Sequence, residues 1–222
     1  MIIAEAKPYR ELAEMVSAYD KILVVGCKGC VTVCNVGGAK EAGILASVLK
    51  IGRRKEGRPV TVDECTLERQ CDPEYIDELK NRIGDYDAVI SIACGVGPQF
   101  LSDRYPDARV FPGVNTKFMG GAVAHGVWEE RCAGCGQCVI HYFGGMCPIA
   151  RCSKSLQNGP CGGSNFGKCE ISDDLDCIWD VIVRKMMAQG RLDELMTFRP
   201  PKSWKTARHG GPRKMVREEL KM

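Results

Sequence analysis

Three cysteines with two residues between each, Cys132, Cys135 and Cys138, are followed by five more: Cys147, Cys152, Cys161, Cys169 and Cys177. A cubane cluster offers an iron at each of four corners. A short loop can therefore present three thiolates to one face while a distant cysteine supplies the fourth. A tetrahedral zinc site draws paired thiolates from two loops and has no natural place for a third cysteine three residues on. The spacing points to iron–sulfur ligation and to a chain that carries electrons.

The other constraints agree. Hydrophobic content of 45% and charged content of 27% belong to a globular protein. No apolar run approaches the ~20 residues that span a bilayer. The N-terminal MIIAEAK lacks the basic-then-apolar pattern of a secretion signal. The expected setting is a reducing, cytoplasmic one, where fourteen cysteines serve metals rather than disulfides. From Arg199 to Met222 eight Lys or Arg stand against two Glu, so the net charge of +3 originates in that segment. Its Pro and Gly punctuation reads as an extended arm that docks on a partner or is simply solvated, not as a nucleic-acid-binding element.

Before residue 122 the pattern alternates. Strands are expected at Lys21–Cys27, Arg58–Val62, Asp87–Ile92 and Arg109–Phe111, and helices at residues 8–18, after Gly37-Gly38, over Pro73–Ile83 and over Gln99–Arg104. This is an α/β fold with a mainly parallel sheet and flanking helices. From about residue 128 to 176 glycine and cysteine dominate and no apolar core is visible, so that stretch is expected to be a small, cysteine-rich module stabilised by metal. A helix over Leu175–Gln189 closes it. The expected division is an α/β domain over 1–122, an iron–sulfur module over 123–198 and the basic tail over 199–222.

Within the α/β part, Cys27 ends the first strand, Cys30 and Cys34 follow it, Cys71 comes after the second strand and Cys94 ends the third. Open α/β sheets collect ligands beyond the carboxyl ends of their strands. Cys27, Cys30, Cys71 and Cys94 are therefore the favoured ligand set, with Cys34 as a competitor. Cys65, in a turn before Cys71, is read as a bystander. Gly26, Gly29, Gly95 and Gly97 would let backbone N–H groups approach the sulfurs.

The eight C-terminal cysteines suffice for two cubanes, or for one cubane and one zinc. In ferredoxin runs the cysteine before proline ligates the other cluster, and Cys147 precedes Pro148 here. The partition that follows gives Cys132, Cys135 and Cys138 one cluster with a distant fourth ligand. Cys147, Cys152, Cys161 and Cys169 then surround a second metal, and Cys177 remains a further candidate. Arg69 and Arg151 are placed to offset cluster charge. His125, His141 and His209 are isolated, no carboxylate pair suggests acid–base catalysis, and no glycine-rich nucleotide fingerprint is present.

The segments GCKGCVTVCNVGG (26–38), ERQCDPEY (68–75), ACGVG (93–97), WEERCAGCGQCV (128–139), GGMCPIARCSKSLQNGPCGGSNFGKCE (144–170) and DLDCIWD (174–180) resemble the methylenetetrahydrofolate reductase C-terminal family. They are similar in particular to its iron–sulfur small subunits of bacterial reductases (MetV type). The resemblance implies an electron-transfer subunit with two or three [4Fe-4S] clusters, zinc being the alternative at one C-terminal site. It implies a flavin-binding catalytic partner that alone holds FMN and reduces 5,10-methylenetetrahydrofolate to 5-methyltetrahydrofolate. A further donor subunit or a ferredoxin would supply electrons. A zinc-stabilised, non-redox scaffold subunit of an enzyme complex is the other reading of the same thiols.

Overall fold

In the computed structural model, which describes residues 1–221, the chain forms two units, Met1–Phe118 and Met119–Met222. The first opens with β1 (Ile2–Ala6) and α1 (Tyr9–Met15) and enters β2 (Lys21–Cys27), where every residue after Lys21 is buried. A strand this apolar needs cover on both faces. The cover comes from α2 (Cys30–Val33) and the long α3 (Ala39–Lys55), whose Ala42, Ala46 and Leu49 sink into the core beside Ile22 and Val24. The chain returns through β3 (Thr61–Leu67), α4 (Pro73–Ile76), β4 (Ala88–Ser91), α5 (Val96–Arg104) and β5 (Val110–Pro112). On the other face Leu23, Val25 and Val89 pack on Leu67, Ile76, Leu79 and Leu101.

The sheet is parallel throughout, in the order β3-β2-β4-β5. The expected α/β class and parallel sheet are present. The order reverses at β2, so a crevice opens between the carboxyl ends of β2 and β4, the place where open α/β sheets bind ligands.

Three local expectations are corrected. The second strand runs from Thr61 to Leu67, in register from Lys21↔Thr61 to Cys27↔Leu67, not over residues 58–62. Cys65 therefore lies in a strand and not in a turn. Asp63 and Glu64 disguised it, and they are tolerated because β3 is a sheet edge. The helix expected over 73–83 is broken into α4 and short 3₁₀ turns at Asp77–Leu79 and Ile83–Asp85. The strand β1, which runs beside β6 (Val114–Ala124), carried no sequence signal strong enough to place it.

In the second unit the end of β6 pairs with β7 (Val127–Glu130), the chain reversing at His125-Gly126 with Gly126 at φ +75°. Then come α6 (Pro148–Arg151), a small hairpin of β8 (Lys168–Cys169) and β9 (Ser172–Asp176), and α7 (Ile178–Ala188). The closing helix begins at Ile178, three residues later than expected, because Leu175 and Asp176 are drawn into the hairpin. This unit has an apolar core where none was expected: Ile178, Trp179, Ile182 and Met186 of α7 bury against Phe143, with Val139, Tyr142 and Met146 packed around them. The contributing residues before α7 are few and scattered among glycines, so no periodicity announced them.

Candidate metal centre

At the carboxyl edge of the parallel sheet, three loops carry the favoured cysteines. The loop after β2 is fixed by Cys27 N–H donating to Gly37 O at 2.8 Å and by Thr32 Oγ1 donating to Cys27 O at 2.7 Å. Gly37 passes so close to β4 that a Cβ there would stand 1.9 Å from Ile92 O. The loop after β3 is fixed by Gln70, a residue the sequence reading passed over. Its side chain is fully buried, Nε2 donates to Val25 O and Gly26 O at 2.9 Å each, and Oε1 accepts from Ser91 Oγ at 2.7 Å. One amide thus ties the residue before Cys71 to the ends of β2 and β4. Gly97 makes room for it, since a Cβ there would meet Gln70 and Ala93 at 3.0 and 2.6 Å.

The consequence is electrostatic. Burial pushes the Cys71 thiol up, and the neighbouring thiols of Cys27, Cys94 and Cys30 push it further in the same direction. Cys27, Cys94 and Cys30 are thus near enough to act on Cys71. Cys27 is buried, Cys30 and Cys94 are half-buried and Cys71 is exposed, so the group sits at the protein surface. Cys34 is occupied elsewhere: it is buried and its thiol donates to Ile2 O at 3.6 Å. Cys65 is also apart, its thiol pushed up by burial and influenced by Arg82, Glu64 and Glu78. Arg69 stacks over the Tyr75 ring at 5.4 Å.

In the second unit the loop from Cys132 to Cys138 turns through Gly134 (φ +60°) and Gly136 (φ +82°), and Gly134 N–H donates to Cys132 Sγ at 3.4 Å. Part of the basic segment 199–222 lies against this loop. Lys202 is only 8% exposed, and its Nζ donates to Cys135 Sγ at 2.8 Å, Gln137 O at 2.7 Å and Cys135 O at 3.3 Å. Thr206 Oγ1 donates to Cys135 O at 3.0 Å and Arg213 to Gly134 O at 2.5 Å. A lysine in a Pro-rich basic stretch gave no sign of this in the sequence. Cys132 and Cys138 are exposed and Cys135 is half-buried.

Farther along, Cys152, Cys161, Cys169 and Cys177 line one cavity together with Arg151 and Trp179. Cys147 is outside that lining. It stands at the N-terminus of α6, where its sulfur accepts from Ala150 N–H at 3.4 Å. The N–H of Ile171 and then the Ser153 hydroxyl hold the Cys169 thiol below its ordinary value. His125 is exposed, His141 stacks on Tyr142 with ring centres 3.8 Å apart, and His209 lies against Trp204. Among the described residues no three His, Cys, Asp or Glu side chains are placed to hold a metal ion as they stand. Nor is any described helix long and apolar enough to cross a membrane.

No curated protein and no solved structure matches the chain. A family model described as Methylene-tetrahydrofolate reductase C terminal matches residues 111–205. The matched stretch contains every cysteine from Cys132 to Cys177 as well as Lys202, and stops short of the strand-end group in the first unit. Over residues 111–205, then, the chain is similar to the methylene-tetrahydrofolate reductase C-terminal family.

Proposed function

We propose that this chain is the iron–sulfur electron-transfer subunit of a methylenetetrahydrofolate reductase complex. It would relay electrons to or from the FMN of a flavin-binding catalytic subunit that reduces 5,10-methylenetetrahydrofolate to 5-methyltetrahydrofolate. A donor subunit or a ferredoxin would stand on its other side. The observation that carries the reading is the gathering of Cys27, Cys30, Cys71 and Cys94 from three separate loops onto one sheet edge, near enough that three of the thiols act on the fourth. The family match over residues 111–205 supports the reductase part of this reading.

The residues suit the group. Thiolates are the ligands such clusters take, and backbone N–H groups and cations near the sulfurs are what set their potentials. Gly29 brings backbone to the first site, a Cβ there lying 3.4 Å from Cys27 Sγ. Gln70 holds the Cys71 loop in place, and Lys202 supplies a buried cation at Cys135. Bound [4Fe-4S] clusters, two or three in number, would supply one-electron transfer that a flavin can collect in pairs.

The test is anaerobic co-purification of the chain with its flavin partner, followed by iron and sulfide quantification and EPR of the reduced complex. Iron and acid-labile sulfide in cluster proportion are expected, with one EPR signal abolished by Cys94→Ser. Material free of both, or a flavin reduced equally fast when this chain is omitted, overturns the proposal.

A further inference from the structure

We infer that Cys152, Cys161, Cys169 and Cys177 form a four-thiolate metal centre of their own, from which Cys147 is excluded. The four come from unlike places: the C-terminal end of α6, an irregular loop, strand β8 and the residue preceding α7. They nevertheless line one partly enclosed cavity of about 20 Å³. The backbone fixes three of these approaches. Cys152 N–H donates to Pro148 O at 3.1 Å, Cys177 N–H donates to Gly167 O at 2.8 Å, and the β8–β9 register places Cys169 opposite Ser172.

Two of the sulfurs are already solvated by the chain. Gly163 N–H donates to Cys161 Sγ at 3.4 Å, a turn made possible by Gly162 at φ +82°. Cys169 Sγ lies 3.6 Å from Ser153 Oγ. Donors on the far side of a sulfur stabilise the thiolate that a soft metal requires. The wall adds Ile178 and Trp179 on its apolar side and Arg151 as a cation beside the sulfurs, while Lys154 is paired with Glu170, which lines the cavity together with Asp176. The side chains do not yet converge on one point, so ligation is what draws the sulfurs together, and its free energy adds to that of folding. Cys147 spends its sulfur on the α6 N-terminus instead.

The shared chemistry is soft-metal ligation, whether of a zinc ion or of iron with sulfide. It stands independently of the electron-transfer reading. The test is differential alkylation with mass spectrometry on the anaerobically isolated full chain, with zinc, iron and sulfide measured on the same material. Cys152, Cys161, Cys169 and Cys177 are expected to be protected together and exposed together by a chelator. Cys177→Ser should remove one centre's metal and render the other three reactive, whereas Cys147→Ser should leave this metal and this protection unchanged. Free alkylation of Cys177 in metal-loaded wild type, or release of the other three by Cys147→Ser, overturns the inference. Zinc on these four in a chain without iron supports this site and defeats the electron-transfer proposal. Iron with a reactive Cys177 does the reverse.

Discussion

The ammonium of Lys202 lies 2.8 Å from the sulfur of Cys135 and is almost shut off from solvent. Three N–H donors meet three acceptors there, so the cation is fully hydrogen-bonded, and a charge held in partly dry surroundings acts more strongly on a neighbour than one in water. Lys202→Met removes that charge and leaves Gln137 O without its donor. The expected cost is about 2 kcal/mol of stability, typical of a hydrogen bond to a charged group, read as a lower urea midpoint. In the metal-loaded protein the centre served by Cys135 should shift to lower potential in an EPR redox titration and recover in Lys202→Arg. A potential unmoved by Lys202→Met would reduce Lys202 to a packing role.

Gln70 makes the comparable prediction for the first unit. Its amide satisfies the Val25 and Gly26 carbonyls and the Ser91 hydroxyl with no solvent to take its place. Gln70→Leu fills similar space but strands those groups, which should cost about 2–4 kcal/mol. Because the residue adjoins Cys71, metal loss at the strand-end site should accompany the stability loss. Denaturant unfolding and iron content measured on one preparation check both. Normal stability with lost iron would mean that Gln70 acts only on the site.

The carboxyl-edge placement was legible because a sheet with crossovers leaves its loops at one edge, and Cys27 ends a run too apolar to be anything but a buried strand. Cys94, by contrast, lies three residues beyond β4, which closes at Ser91, and does not end that strand as expected. What holds those loops was not legible. Gln70 acts through carbonyls of residues more than forty positions earlier, and nothing local distinguishes it from a surface glutamine. The same holds for Lys202, whose partners lie more than sixty residues away. Cys65 was misplaced because alternation in β3 is blurred by Asp63 and Glu64 at a solvent edge. The place of Cys147 before Pro148 suggested its grouping with Cys152, Cys161 and Cys169; the cavity that those three line with Cys177 does not include it.

Cys65 provides a control with a pH dependence. Burial raises its thiol above the ordinary value, with Arg82 opposing and Glu64 and Glu78 assisting. A thiol raised in the folded state favours folding fully while it stays protonated in both states, and this contribution is lost as pH rises beyond about 8.5, where the unfolded thiol ionises first. Cys65→Ser should therefore keep its metal content at neutral pH and flatten the alkaline decline in stability. Urea midpoints from pH 7 to pH 10 check the sign. Loss of iron from this variant would return Cys65 to the ligand set.

Trp179 tests whether the second unit has a core that does not depend on metal. Its ring meets Phe143 edge-on at 5.5 Å between centres, its side chain is 3% exposed, and its indole N–H donates to Leu156 O at 3.1 Å. Truncating a buried aromatic of this kind costs about 3–5 kcal/mol through lost transfer free energy and the cavity left behind. Trp179→Phe keeps part of the packing and loses the hydrogen bond to Leu156 O together with some ring volume, so its cost should be smaller, about 1–2 kcal/mol. If metal alone organised this stretch, the two variants would melt together in chelator and both would match wild type there. An ordered loss, with Trp179→Ala well below Trp179→Phe in chelator-treated chain followed by near-ultraviolet circular dichroism, is the expected outcome, because Ile178, Ile182 and Met186 bury against Phe143 by their own apolar contacts.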